Sequence, residues 1–148
     1  MKGYSMEASA DITSKAWGRD LSISLKKTVE VCNHLRGMRC DVAKELLRDV
    51  LDGLRPIPFK RYDGGVGHRH YIGPGRYPRK SSEAVLRLIE EAEANAEYKG
   101  LDFESMFIKH IAANKGEVVK GNRPRARGRS TQKNSSRVNL EIILEEIA

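Results

Sequence analysis

Cysteine is scarce: Cys32 and Cys40 are the only two, too few for a disulfide framework and in keeping with a reducing cytosol. With His34, His68 and His70 they form a conceivable ligand set, but the two cysteines stand eight residues apart, not at the short interval of a zinc hook. Cys32 also falls on the apolar stripe of a predicted helix, where a free thiol behaves as a small hydrophobe. No metal is expected. Long apolar runs are missing too. The opening "MKGYSMEASA" has no signal-peptide core, and no stretch approaches the length of a membrane span. The expectation is a soluble cytoplasmic protein without a membrane partner.

Catalytic signatures are also missing. A phosphate-binding loop needs glycine directly before Lys and then Ser or Thr, whereas "RKSS" places Arg79 before Lys80. "GPG" at Gly73 to Gly75 is a turn signal and no dinucleotide fingerprint. The acidic cluster Glu90, Glu91, Glu93 and Glu97 lies opposite an apolar helix face, with nothing to desolvate the carboxylates and tune them for acid–base work. No catalytic residue, cofactor or small-molecule substrate is expected.

The absence that points somewhere is that of acid. "GNRPRARGRSTQKNSSR", Gly121 to Arg137, has no Asp or Glu, and its only apolar side chains are Pro124 and Ala126. The net charge of +7 is concentrated rather than spread. Lys60 to Lys80 holds six Lys or Arg against the single Asp63, and Lys120 to Arg137 holds seven against none. These windows carry thirteen of the 27 basic residues, and the remainder of the chain is net acidic. Two positive patches on a 148-residue chain, the size of one domain, imply a polyanionic partner, nucleic acid before membrane.

Around these patches the pattern predicts an α+β fold. "YSMEASADI" alternates Tyr4, Met6, Ala8, Ala10 and Ile12 with polar residues, which predicts a half-buried strand. A helix is expected from a Ser22 or Ser24 cap to about Arg36, with Leu25, Val29, Cys32 and Leu35 on one side and Gly37 as its stop. A second follows with Asp41 as cap, a stripe of Val42, Leu46, Leu47, Val50, Leu51 and Leu54, and Gly53 near its end. "RPIP" ends helical structure. A third starts after Lys80 with Ser81 or Ser82 as cap, a stripe of Val85, Leu88, Ile89, Ala92 and Ala96, and Gly100 closing it. "MFIKHIAA" is extended but ambiguous in face. "VNLEIILEEI" alternates except at Ile143, which suggests a strand covered at least partly on both sides.

The segment 60–80 is Gly- and Pro-rich and too long for a plain connection, so it is functional or disordered until bound. Its basic residues Lys60, Arg61, Arg69, Arg76, Arg79 and Lys80 interleave with Tyr62, His68, His70, Tyr71 and Tyr77. That mixture offers phosphate contacts and rings for stacking on unpaired bases. The acid-free stretch lies between two strand-like segments, so residues 114–137 are expected to form a long antiparallel hairpin with its tip near Arg125 to Gly128. If the body-packed strands end near Ala113 and Val138, the arm reaches on the order of 40 Å at ~3.3 Å per residue. A ribbon with so little to bury is not stable alone in water. It would fray or be held by a partner, through Lys115, Lys120, Arg123, Arg125, Arg127, Arg129, Lys133 and Arg137. Two other readings remain: an independent DNA- or RNA-binding protein using the ribbon in a groove, and an enzyme, for which no constellation is offered.

"GPGRYPRKSSEAVLRLIEEAEANAEYKGLD", "IKHIAANKG", "RPRARGR" and the closing "VNLEIILEE" together resemble the large-subunit ribosomal protein L twenty-two family in its archaeal form. The likeness covers nearly the whole chain, read as one domain over 1–148; the long C-terminal tail usual in eukaryotic members does not follow Ala148. The resemblance implies three helices packed on a three-stranded antiparallel sheet, with a long protruding β-hairpin. It implies a structural role in the large ribosomal subunit, the globular part near the tunnel exit and the arm threaded through rRNA. Asn122, Arg123, Pro124, Arg125, Ala126, Arg127, Gly128 and Arg129 would then line the nascent-peptide tunnel. The implied partners are large-subunit rRNA, neighbouring large-subunit proteins and the passing peptide. The arm's "STQKNSS" is poorer in basic residues than this arm often is.

Overall fold

The computed structural model describes residues 3–102 and 105–146; Ile147, at the end of the predicted last strand, lies outside them. In chain order the elements are β1 (Thr13–Leu21), α1 (Leu25–Leu35), α2 (Cys40–Asp52), β2 (Ile57–Pro58), β3 (His68–Arg69), β4 (Gly73–Arg76), α3 (Arg79–Lys99), β5 (Met106–Val119), β6 (Asn122–Pro124), β7 (Ser130–Gln132) and β8 (Ser135–Glu146). The main sheet is antiparallel in the order β1-β8-β5. Its strands present Leu140, Ile142, Leu144, Met106, Ile108 and Ile111 to the helices, and all six are fully buried.

Helix α3 meets the sheet with the predicted stripe: Val85, Leu88, Ile89, Ala92 and Ala96 are all buried. Small residues at the last two positions let the strand approach closely, and the Ser14 hydroxyl donates to the Ala92 carbonyl at 2.6 Å. On α2 the buried set is Cys40, Ala43, Leu46, Leu47 and Val50; the predicted Val42 and Leu54 are exposed instead. On α1 the buried face is turned relative to expectation. Thr28, Glu30 and Val31 join Cys32 and Leu35, while Leu25 and Val29 are half-buried.

Two helix starts differ from prediction. Helix α2 begins at Cys40 with Arg39 at the N-cap, so Asp41 lies in the first turn, where its charge favours the helix dipole. Helix α3 begins at Arg79, because Pro78 has no N–H to leave unsatisfied and its carbonyl accepts the Ser82 N–H at 2.9 Å. Ser81 and Ser82 are therefore buried inside the first turn rather than capping it.

The N-terminal expectation is also corrected. No strand forms over residues 4–12; the main sheet's edge is β1, starting at Thr13. The alternation is real, since Tyr4, Met6 and Ala8 are half-buried between exposed neighbours, but it serves a strap laid across the sheet's second face. The Ser5 N–H and hydroxyl both donate to Glu141, and the Tyr4 ring lies 5.4 Å from that of Trp17. Ile143, on the same face as Glu141, is fully buried, as a strand covered on both sides requires. The ambiguity of "MFIKHIAA" is resolved by a bulge. Ile108 pairs with Leu144 and His110 with Ile143, so Lys109 is the extra residue and Ile111 returns to the core side.

Candidate nucleic-acid interface

The Gly- and Pro-rich segment is folded into a small sheet of its own, in the order β2-β4-β3. Ile57 and Phe59 anchor it in the body, both buried. The tie that fixes its course is Glu30, a carboxylate 1% exposed on the inner side of α1. Its oxygens accept the backbone N–H groups of Lys60 at 3.1 Å, Arg61 at 2.8 Å and Tyr62 at 2.6 Å. A buried carboxylate is costly unless satisfied, and three amides satisfy this one. Beyond it, His68 and Arg69 pair with Pro74 and Gly73 across a tight turn. At that turn Tyr71 takes a positive φ of 67° and is fully exposed. A non-glycine side chain is held there in a disfavoured backbone region to display its ring.

Of the residues singled out in this segment, Lys60, Arg61, His68, Arg69, His70, Tyr71, Arg79 and Lys80 are exposed, and Arg76 and Tyr77 are half-buried. Cations and rings stand beside one another: Arg69 over Tyr77 at 5.4 Å, Arg61 over Tyr62 at 5.5 Å and Arg76 over Phe59 at 5.9 Å. Burial, then the charges of Arg55 and Lys60, hold the His34 imidazole below its ordinary pKa. The positive field of this region thus reaches a neighbouring titratable group.

The arm is hydrogen-bonded along its length. The β5–β8 ladder runs from Met106↔Glu146 to Val119↔Ser135, with an irregularity between Lys115 and Val118. A second ribbon continues it, β6 with β7, from Asn122↔Gln132 to Pro124↔Ser130. Between the two, the Lys133 N–H donates to the Gly121 carbonyl at 2.6 Å. The tip closes with the Arg125 N–H on the Arg129 carbonyl at 2.8 Å, and Arg127 and Gly128 both take positive φ. Lys115, Lys120, Asn122, Arg123, Pro124, Arg125, Ala126, Arg127, Gly128, Arg129 and Lys133 are all exposed, and Arg137 at the base is half-buried. From Asn122 to Ser136 every residue is exposed, so among the described residues the outer ribbon is held by its ladder.

The base of the arm and the end of the 60–80 segment, distant in sequence, lie at one end of the fold. Leu21, the last residue of β1, pairs with Val138 at the base of the arm. Ser22 to Ser24 then lead into α1, beside Tyr77, Pro78, Arg79 and Lys80 at the start of α3. The Thr28 and Ser81 hydroxyls, 3.0 Å apart, mark where the two helix starts touch. The composition windows omitted Lys26 and Lys27, which lie on α1's first turn and line a cleft with Arg61, Tyr62 and Arg76. A pair of adjacent lysines at a helix start was the available signal.

Residues elsewhere serve the body. Cys32 and Cys40 are buried, and burial pushes both thiols up to about 12. Glu90, Glu91 and Glu97 face solvent, and Glu93 pairs with Lys44 at 2.9 Å. No described helix is long and apolar enough to cross a membrane.

The family described as Ribosomal protein L22p/L17e matches residues 16–145, from β1 to the last residues of β8. The large ribosomal subunit protein uL22 of Methanococcoides burtonii is 46% identical over 147 residues, covering 97% of this chain and 96% of that protein. That of Methanopyrus kandleri is 49% identical over 138 residues, covering 90% of this chain and 87% of its own length. That of Haloarcula marismortui is 42% identical over 146 residues, covering 97% and 94%. Fold, basic arm and full-length likeness agree, and the chain belongs to the ribosomal protein L22p/L17e family, in its archaeal form.

Proposed function

We propose that this chain is a structural, non-enzymatic constituent of the large ribosomal subunit in the cytoplasm, binding and organising large-subunit rRNA. Its body sits near the tunnel exit beside neighbouring large-subunit proteins, and residues 114–137 reach inward as one arm of the single domain. Asn122 to Arg129 contribute to the wall of the nascent-peptide tunnel. The observation that carries this reading is the arm: a basic ribbon without a core, its only acid Glu117 and none from Lys120 to Arg137, springing from a family member's sheet. Such a ribbon requires a polyanionic surround, and a folded RNA supplies it by exchanging condensed counterions for Arg and Lys. Arginine suits the work because its planar fork grips phosphate at two points and stacks on bases. The segment 60–80 adds a second contact at the arm's base, with Lys60, Arg61, His68, Arg69, His70, Tyr71, Arg76, Tyr77, Arg79 and Lys80 facing RNA.

The test is cosedimentation of the tagged chain with large subunits through a high-salt sucrose gradient. Stoichiometric travel with the subunit is expected. A chain that stays at the top of the gradient and binds duplex DNA instead would be an independent nucleic-acid-binding protein.

A further inference from the structure

Helices α1 and α3 break the same local rule at the same place. A helix N-terminus carries partial positive charge and favours acid in its first turn, yet neither helix has an acidic residue there. Lys26 and Lys27 open α1, and Arg79 and Lys80 open α3. Neither start has a side-chain cap hydrogen bond. Ser24 and Lys27 line both the hollow beside Arg79 and Lys80 and a neighbouring open cleft of about 450 Å³. Four cations border that cleft: Lys26, Lys27, Arg61 and Arg76. Local rules broken together, with neither a first-turn acid nor a side-chain cap at either start, mark a site built for something outside the chain.

The cleft is more than a charged hollow. Phe59, 4% exposed, forms part of its lining, and Tyr62 is half-buried beside it. Lys26 lies 5.7 Å from the Tyr62 ring, with Arg61 5.5 Å from the same ring. Its shape is fixed before any partner arrives. Glu30 holds the backbone of residues 60–62 by three amides, and the Arg76 guanidinium donates to the Gly65 carbonyl at 3.2 Å. Preformed concavity, a half-exposed aromatic ring at Tyr62 and a cationic rim suit one kind of RNA element. A continuous duplex presents its phosphates outward and hides its base faces; an unpaired nucleotide turned out of the stack offers both a face and a phosphate.

We propose that this cleft seats a single unpaired rRNA nucleotide, its base against Tyr62 and its phosphates among Lys26, Lys27, Arg61 and Arg76. The proposal rests on the ribosomal reading above and deepens it. The base supplies the stacking partner, and the phosphates supply the anion that the start of α1 lacks.

Large subunits carrying the full-length chain, wild-type or variant, test it by base-directed chemical modification of the rRNA. With wild-type chain, one unpaired base should be shielded. In Tyr62→Leu that base should become roughly tenfold more reactive, as loss of one base–ring stack implies, and Lys26→Ala with Lys27→Ala should separately raise its reactivity through loss of two phosphate contacts. Tyr62→Phe, which keeps the ring, should restore shielding. The lysine pair is on the surface of α1 and carries the test alone if Tyr62→Leu fails to enter the subunit. Normal content of the variant chains with no change at any unpaired base overturns the proposal. So does a change confined to the backbone of a continuous duplex. If wild-type chain is absent from the subunit, the ribosomal reading fails first and takes this one with it.

Discussion

The Glu30 carboxylate lies 2.6 Å from the Tyr62 backbone nitrogen, so the middle of α1 holds the start of a basic loop thirty residues further on. Lys60 and Arg61, the first cations of the loop, are placed directly by that anchor. A carboxylate inside a helix thus decides how a positive surface is presented.

Replacing Glu30 with Ala should leave three amides to find water and free residues 60–66 from α1. The expected cost is about 2–3 kcal/mol. Denaturant unfolding measures it, and limited proteolysis should nick the loop at its lysines and arginines while α3 stays protected. An unchanged midpoint would mean that the loop is held by Ile57 and Phe59 alone.

Glu141 gives a pH dependence. Burial pushes its carboxyl up, but the Ser5 hydroxyl and N–H, together with His110, outweigh burial and leave it below its ordinary value of 4.5. The unfolded chain therefore binds the proton more readily than the folded one. The stabilisation is present above 4.5 and is lost as pH falls through the lowered folded value. Wild-type and Glu141→Gln midpoints should differ most near neutral pH and converge as the acid range is entered. A gap that widens on acidification would reverse the sign.

Gly121 permits a close crossing within the arm. A Cβ there would stand 2.9 Å from the Lys133 carbonyl oxygen, a backbone atom with little room to give. Gly121→Ala should abolish hydrogen-exchange protection of the Lys133 amide. Global stability should change by less than about 0.5 kcal/mol, because the arm buries no core. Full retention of that protection would show that the ribbon shifts to accept the methyl group.

Deleting Asn122 to Arg129 should leave the far-ultraviolet circular dichroism of the helices intact. It removes four arginines, so the slope of log affinity for large-subunit rRNA against log salt should fall by about 3. Loss of helical signal would mean that arm and body are not separable. An unchanged slope would place those arginines away from phosphate.

The core was legible where one period ran unbroken. The stripe on α3 is present as written, and Ile143 announced a strand covered on both faces. Residues 4–8 carry a true period of two, which fails at the exposed Ala10 and Ile12; periodicity reports that a segment has one buried side and not whether it pairs at an edge or lies across a face. Lys109 could not be read as a bulge, because only pairing with β8 reveals which residue is extra. Glu30 was silent for a related reason. A lone acid in a helix reads as solvent-facing until the amides it satisfies are brought to it from another part of the chain. The basic windows were visible by composition alone; that the base of the arm, through Val138 and Leu21, lies near the start of α3 was written only in the fold.

The arm continues β5 and β8, and β8 is the middle strand of the main sheet. A pull on the tip along the arm therefore loads the register from Thr13↔Glu145 to Leu21↔Val138 in shear, so that its hydrogen bonds must yield together rather than unzip one after another. The strap from Tyr4 to Ile12 and the helices on the opposite face resist the same sliding. In mechanical terms, the body is a socket that grips a long lever by its central rail.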